Sequence, residues 1–210
     1  MGLFGGKGGG AGSRSDSARV SRHSSGWTQM EKHLKSEDSL RVLDIGPTSA
    51  GNINLITQMG HSVYMANLVE DAVKPEYVST SNEGETVHEV QRYLTQNLDF
   101  AGRHFDVVLL WDTADYLPEP MLQPIIDRIF DVMEPGGKLL AFFHSKATGD
   151  DTIFSRYHLT STDQVEMQRT GVHPVLRTYT NRQIEGVFER FSGYKFLLAK
   201  DSLREVIVTR

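Results

Sequence analysis

An aspartate lodged inside an apolar run sets the terms for this chain. Residues Arg41–Asn52 read Arg-Val-Leu-Asp-Ile-Gly-Pro-Thr-Ser-Ala-Gly-Asn. Val42, Leu43 and Ile45 form the short continuous apolar stretch expected of a strand covered on both faces. Asp44 interrupts that stretch, and a carboxylate without partners there would be costly. Backbone N–H groups of the loop that follows are its simplest expected partners. Gly46 and Pro47 end the strand. Gly51 and Asn52 lead into Ile53, Leu55, Ile56 and Met59, a short helical pattern that Gly60 can close. Strand, loop and helix make the first half of a nucleotide-binding βαβ unit, with the ligand at the carboxyl end of the strand near the helix N-terminus.

Two common nucleotide loops are excluded by residues. Gly46 and Gly51 have the P-loop spacing, but Asn52 and Ile53 stand where that loop needs its Lys and its magnesium-binding hydroxyl. Thr48 occupies the second glycine of the dinucleotide fingerprint. What remains is a loop suited to a ligand with less phosphate, or an ordinary buried strand and turn.

With 210 residues, 39% of them hydrophobic, the chain can build one domain with a substantial core. A net charge of −5 argues against a broad phosphate-binding surface, and so against nucleic acid as a partner. The sequence has no cysteine, which excludes disulfides, thiolate metal sites and cysteine nucleophiles and suits a reducing cytoplasm. No apolar run approaches the roughly 20 residues of a membrane span. Met1–Gly26 is rich in Gly, Ser and Arg with almost nothing to bury, so it is expected to be a disordered tail, with the folded domain at 27–210.

Along that domain, Trp27, Met30 and Leu34 predict a helix over Trp27–Lys35. Val63 and Met65 alternate with polar or small neighbours in a second strand, His61–Leu68. Lys74–Asn97 is poorly patterned, and a third parallel strand there is expected to be short or missing. Val107, Val108, Leu109 and Leu110 mark a central strand over Asp106–Trp111. Met121 to Met133 follow at helical spacing, with Pro124 expected in the first turn. Pro135-Gly136-Gly137 then leads into a strand ending at Phe143-His144-Ser145. Phe154–Thr160 and Gln164–Gln168 alternate as a β-hairpin whose polar face would carry Arg156, His158, Glu166 and Gln168. Thr180 and Gln183 form a capping box before Ile184, Val187, Phe188 and Phe191. Tyr194–Lys200 and Glu205–Thr209 are two last strands, antiparallel because their connection is short.

Val42-Leu43-Asp44-Ile45-Gly46 resembles the first motif of class I S-adenosylmethionine-dependent methyltransferases, with Thr48 and Ala50 in place of the second and third glycines. Phe105 through Leu110 with Tyr116-Leu117-Pro118 resembles the fourth motif. Pro135-Gly136-Gly137 before an apolar strand resembles a further hallmark. The whole of Arg41–Arg210 is similar to a bacterial methyltransferase-like group carrying Asp-Ile-Gly-Pro-Thr-Ser, Leu-Leu-Trp-Asp and Phe-Phe-His-Ser. The resemblance implies an α/β, three-layer Rossmann-like methyltransferase fold, a mostly parallel sheet with a C-terminal antiparallel strand pair. It implies S-adenosyl-L-methionine as cofactor, held by Asp44, Gly46, Pro47, Thr48, Asn67, Leu68, Asn97, Leu98 and Trp111. Asn67 stands where the family places the acid that accepts from both ribose hydroxyls. Leu94 replaces an adenine-contacting acid, for which Asn97 is the nearest polar substitute.

Methyl transfer is a displacement in which the protein aligns nucleophile and methyl carbon and sometimes removes a proton. Asp112 and His144, at the ends of adjacent strands, are the candidate bases. The structural alternatives are a turn cap for Asp112 and a strand-end residue bonded to backbone for His144. Arg156 and His158 would bind an anionic substrate or decorate an exposed hairpin face. No metal-ligand spacing stands out. Three functions follow: a methyltransferase acting on a small molecule or protein, a methyltransferase-like pseudoenzyme used as a scaffold, and, disfavoured by charge, a nucleic-acid modifier. Neither the methyl acceptor nor the oligomeric state is written in the sequence.

Overall fold

The computed structural model describes residues 18–147, 154–197 and 201–210. Its centre is a six-stranded sheet of β2 (Arg41–Ile45), β3 (Ser62–Ala66), β6 (Phe105–Trp111), β7 (Met133–His144), β10 (Ser192–Leu197) and β11 (Leu203–Thr209), in the order β10-β11-β7-β6-β2-β3. The pairs joining β3, β2, β6 and β7 are parallel, and β11 and β10 add antiparallel at one edge. This is the expected α/β architecture.

Alternation along the strands divides the core in two. Val42, Val107, Leu109, Leu140 and Phe142 face α1 (Ser25–Ser36) and α2 (Ala50–Gln58). Leu43, Ile45, Val108, Leu110, Leu139, Ala141 and Phe143 face α5 (Glu119–Val132) and α6 (Asn181–Val187). Every residue of β6 from Val107 to Trp111 is buried, as its unbroken apolar run requires. Thr180 and Gln183 form the expected capping box at α6. Pro124 lies in the second turn of α5, because the helix begins at Glu119 and Pro120 takes the first turn.

The third parallel strand is absent from the described sheet, which ends at β3. After the short α3 (Leu68–Ala72), the chain instead makes a separate antiparallel pair, β4 (Val78–Thr80) with β5 (Thr86–His88), and then α4 (Val90–Asn97).

The expected disordered stretch through Gly26 needs correction at its end. Arg19–His23 is a strand, β1, and α1 begins at Ser25. β1 pairs antiparallel with β9 (Gln164–Arg169), which pairs with β8 (Ser155–Leu159), giving a second, three-stranded sheet. Low hydrophobicity misled because β1 is anchored by charge. Buried Arg22 holds Asp201 at 2.7 Å and Glu205 at 2.6 Å, and lies over the Phe142 ring. Glu205 also accepts from the Gly26 N–H. A Cβ at Gly26 would stand 2.5 Å from Leu140 Cδ1, so any larger residue would have to displace the Leu140 and Glu205 side chains. Residues 1–17 lie outside the described residues.

Candidate active site

The four parallel strands bring their carboxyl ends together at Ile45, Ala66, Trp111 and His144. Gly46 N–H donates to the Ala66 carbonyl at 2.8 Å and ties the first two ends. Asp44 is fully buried, but its partners are side chains rather than loop backbone. One oxygen accepts from Asn52 Nδ2 and the other from Trp111 Nε1, each at 2.7 Å. Trp111 reaches it because Asp44 pairs with Leu109, and Leu109 and Trp111 share a face of β6. Burial pushes the Asp44 carboxyl up to about 6, against the pull of those two hydrogen bonds.

The loop from Gly46 to Ser49 is packed beneath the second sheet. A Cβ at Gly46 would lie 3.4 Å from Trp111 Cδ1. Pro47 is buried and Thr48 exposed. Ser49 caps α2 through the Asn52 N–H and meets His158 Nδ1 at 2.8 Å, while His158 Nε2 meets Gln168 Oε1 at 2.9 Å. Asn52 Nδ2 also donates to the Tyr157 carbonyl, and Asn52 Oδ1 accepts from the Leu159 N–H. His158 and Gln168 are therefore buried, not members of an exposed polar face. The hairpin's alternation was legible, but what covers its polar side was not.

Trp111 takes a left-handed backbone conformation, φ 52°, which is costly for an aromatic residue and concentrated at functional sites. Its indole stacks on Tyr157 at 4.8 Å with 4° between the planes. The Tyr157 hydroxyl donates to Asp112 Oδ2 at 2.8 Å. Asp112 makes no side-chain cap to the turn it opens, Thr113–Tyr116, and its buried Oδ1 has no partner among the described residues. Burial first, and then the charge of Asp115, push Asp112 up to about 7; His144 and Tyr157 act against them.

His144 is paired with Asp115, which was not singled out in the sequence. Asp115 Oδ2 accepts from the His144 backbone N–H at 2.6 Å and lies 2.8 Å from Nδ1. Burial lowers the His144 pKa, but the Asp115 bond and the charges of Asp112, Asp115 and Asp201 outweigh it, and the net shift is upward. The backbone carbonyl of Asp115 accepts from Leu176 and Arg177, so its main chain is fixed, while only Oδ2 of its carboxylate is engaged among the described residues. The spacing of Asp112 and Asp115, one turn apart, was the available signal. Tyr157 had none, because it arrives from the second sheet.

At the end of β3, Asn67 forms no cap with α3, and its buried Oδ1 lacks a partner among the described residues. Leu68 is buried, with its carbonyl accepting from Tyr93. Asp71 turns to Lys74. The structure does not bring Asn97 and Leu98 to this end. Asn97 Nδ2 donates to Tyr77 and to the Tyr93 carbonyl. The Leu98 carbonyl accepts from Arg128, one turn before the end of α5, and Met133 just after that helix pairs with Phe105 at the opposite end of β6.

Fold and strand-end site together define the Rossmann-like methyltransferase class. Residues 26–195 match the methyltransferase domain family, and the chain belongs to that family. Its class uses S-adenosylmethionine as methyl donor. Among solved structures, the PH0226 protein from Pyrococcus horikoshii is similar in fold over 88% of each chain, with a TM-score of 0.50 and 12% identity. The 1,6-didemethyltoxoflavin-N1-methyltransferase of Burkholderia thailandensis, crystallised with S-adenosylhomocysteine, is 12% identical over 88% of this chain and 76% of its own, TM-score 0.48. Magnesium protoporphyrin IX methyltransferase from Synechocystis, with bound SAM, is 13% identical over 88% and 74%, TM-score 0.45. Comparison with curated protein sequences gives no match. No helix among the described residues is long and apolar enough to cross a membrane.

Proposed function

We propose that this chain transfers a methyl group from S-adenosylmethionine to a small-molecule or protein acceptor whose nucleophilic atom carries a proton. The observation that supports this most directly is the Asn67 side chain, with a buried acceptor oxygen unpartnered at the end of β3. Ribose hydroxyls are donors, and the donor chemistry of the cofactor fits an acceptor left open there. Asp44, Gly46, Pro47, Thr48, Asn67 and Leu68 form the cofactor set on this reading, and Trp111 walls it. Asn97 and Leu98 drop out, the Asn97 amide being engaged by Tyr77 and Tyr93 and the Leu98 carbonyl by Arg128.

The cofactor supplies an electrophilic methyl on a sulfonium. The chain's own residues orient the acceptor and manage its proton. Asp112, with one oxygen fixed by Tyr157 and the other open, is poised near neutrality to accept a proton. His144, held through Nδ1 by Asp115, presents Nε2 as its exchanging nitrogen. Burial excludes water from both groups.

The scaffold reading also has an observation in its favour. Both Asp44 oxygens are engaged, and the Trp111 ring lies against Gly46, so the first-motif loop is closed by the chain's own residues. Titration calorimetry with S-adenosylmethionine on the full chain distinguishes the two. The enzyme reading expects saturable binding, followed by S-adenosylhomocysteine release when candidate acceptors are supplied. No heat at millimolar cofactor, with the fold intact by circular dichroism, would transfer the case to a cofactor-free scaffold.

A further inference from the structure

A hollow lies at the other end of the sheet, between the last turns of α1 and the antiparallel edge. It encloses about 530 Å³, within the usual range of small-molecule sites. Its walls carry Lys32 and His33 from α1, Lys138 from β7 and Lys195 from β10, and no carboxylate lines it. Met30 and Ile207 lie buried behind its wall, and Ser36 and Thr209 bring hydroxyls. In a chain with 27 acidic against 22 basic residues, such a one-signed lining does not follow from composition.

The lysine ion pairs among the described residues are those of Lys35 with Glu31 and Lys74 with Asp71. Lys32, Lys138 and Lys195 take part in none. The hollow is also shaped by the backbone. The register of β10 against β11 slips between Ser192 and Lys195, and Gly193 sits in that bulge with φ +63°. That left-handed backbone, rather than any crowding at its Cβ position, is what favours glycine there. The position is remote from the strand-end site. Lys138 and Thr209 pair where β7 enters the parallel sheet, whereas His144 ends that strand.

We infer that this groove binds a small molecule through a phosphate or polyphosphate group, gripped by Lys138 and Lys195 with Lys32 and His33 at its rim. Three ammonium groups from three elements suit a ligand of two or more negative charges. His33 gives the site a reporter. Burial and then Lys138 hold its imidazole below the usual range; Glu37 and Asp106 pull upward, and His61 adds slightly to the lowering. A bound phosphate would offset Lys138 and draw a proton onto His33. The inference is independent of methyl transfer, since no residue of the groove belongs to that site.

The test uses the full chain at constant ionic strength, with inorganic phosphate and pyrophosphate as probes. Titration should saturate, pyrophosphate should bind more tightly, and the His33 resonances should move toward the protonated form near pH 6.5, its ordinary midpoint. The surface pair Lys138→Gln with Lys195→Gln, checked for native circular dichroism, should weaken binding by about tenfold or more. A titration that never saturates, one unchanged in the double variant, or one that leaves His33 unmoved would overturn the inference. So would a response confined to RNA or heparin, which would indicate a polyanion surface instead of a small-molecule site.

Discussion

The indole N–H of Trp111 closes on the carboxylate of Asp44 at 2.7 Å across two neighbouring strands, under a stacked Tyr157 ring. One bond thus joins the first-motif strand, the strained end of the central strand and the roof above both. Trp111→Phe keeps an aromatic ring beneath Tyr157 but removes the donor. The buried acceptor left behind should cost about 1–3 kcal/mol in urea unfolding. The loss should shrink at pH values below about 6, where Asp44 is protonated and its demand for donors falls. A loss independent of pH would place the effect in ring packing instead.

Asp112 makes a second, signed prediction. Its folded pKa, about 7, lies above the ordinary 3.8, so the folded state holds this proton more tightly than the unfolded chain does. The contribution is therefore complete below about pH 4 and is lost as pH rises from there to about 7. Asp112→Asn should flatten that part of the stability profile, seen as a smaller fall in unfolding midpoint between about pH 5 and pH 7.5. If an acceptor is found, the same variant should lower turnover by about 10²-fold while cofactor affinity changes little.

Asp115→Asn removes the charge that supports His144. The His144 pKa should fall, because burial then acts with less opposition. Histidine-selective NMR titration reads this without a substrate. An unchanged midpoint would show that Asp112 and Asp201 suffice to support the imidazolium.

Asn67→Asp should tighten S-adenosylmethionine binding. A carboxylate accepts from both ribose hydroxyls, where the amide offers one oxygen and no charge. The gain of a charged over a neutral hydrogen bond, about 1 kcal/mol, corresponds to somewhat under tenfold in affinity. Equal affinities by calorimetry would mean that the ribose does not reach position 67.

Arg22→Met should destabilise by about 3–5 kcal/mol, since Glu205 would remain buried with its counter-charge gone. This departs from the expectation of a disordered tail through Gly26. A neutral result would show that Ser24 and the Gly26 N–H satisfy Glu205 alone.

Much of the architecture was legible because it is local. Val107–Leu110 announces a central strand by being apolar at every position, and Thr180 with Gln183 announces a helix start within four residues. What escaped is long-range. Arg19–His23 has one apolar residue, and its place in a sheet depends on Arg22 meeting acids some 180 positions away. Asp44 was rightly judged to need partners, but Trp111 is a neighbour only once β2 and β6 lie side by side. Asn97 was assigned to the site by its position relative to Leu98 and Phe105; α4 occupies the region where a third parallel strand would have carried it to the strand ends. Asp112 and His144 could be placed at neighbouring strand ends from strand order alone, whereas Tyr157 arrives from another sheet and the pairing of Asp115 with His144 is visible only in three dimensions.

The pairing of β1 with β9 has a kinetic consequence. Arg19 and Glu166, which meet across it, are 147 positions apart, so the three-stranded sheet assembles against a large loop-closure entropy and gains little apolar burial from β1 in return. The layer that roofs Asp44 and Asp112 should be the last to fold and the first to open. Amide protons of β8 and β9 should exchange by sub-global opening while those of β6 and β7 wait for global unfolding. Brief exposure of the strand ends would then be a property of the native protein at rest.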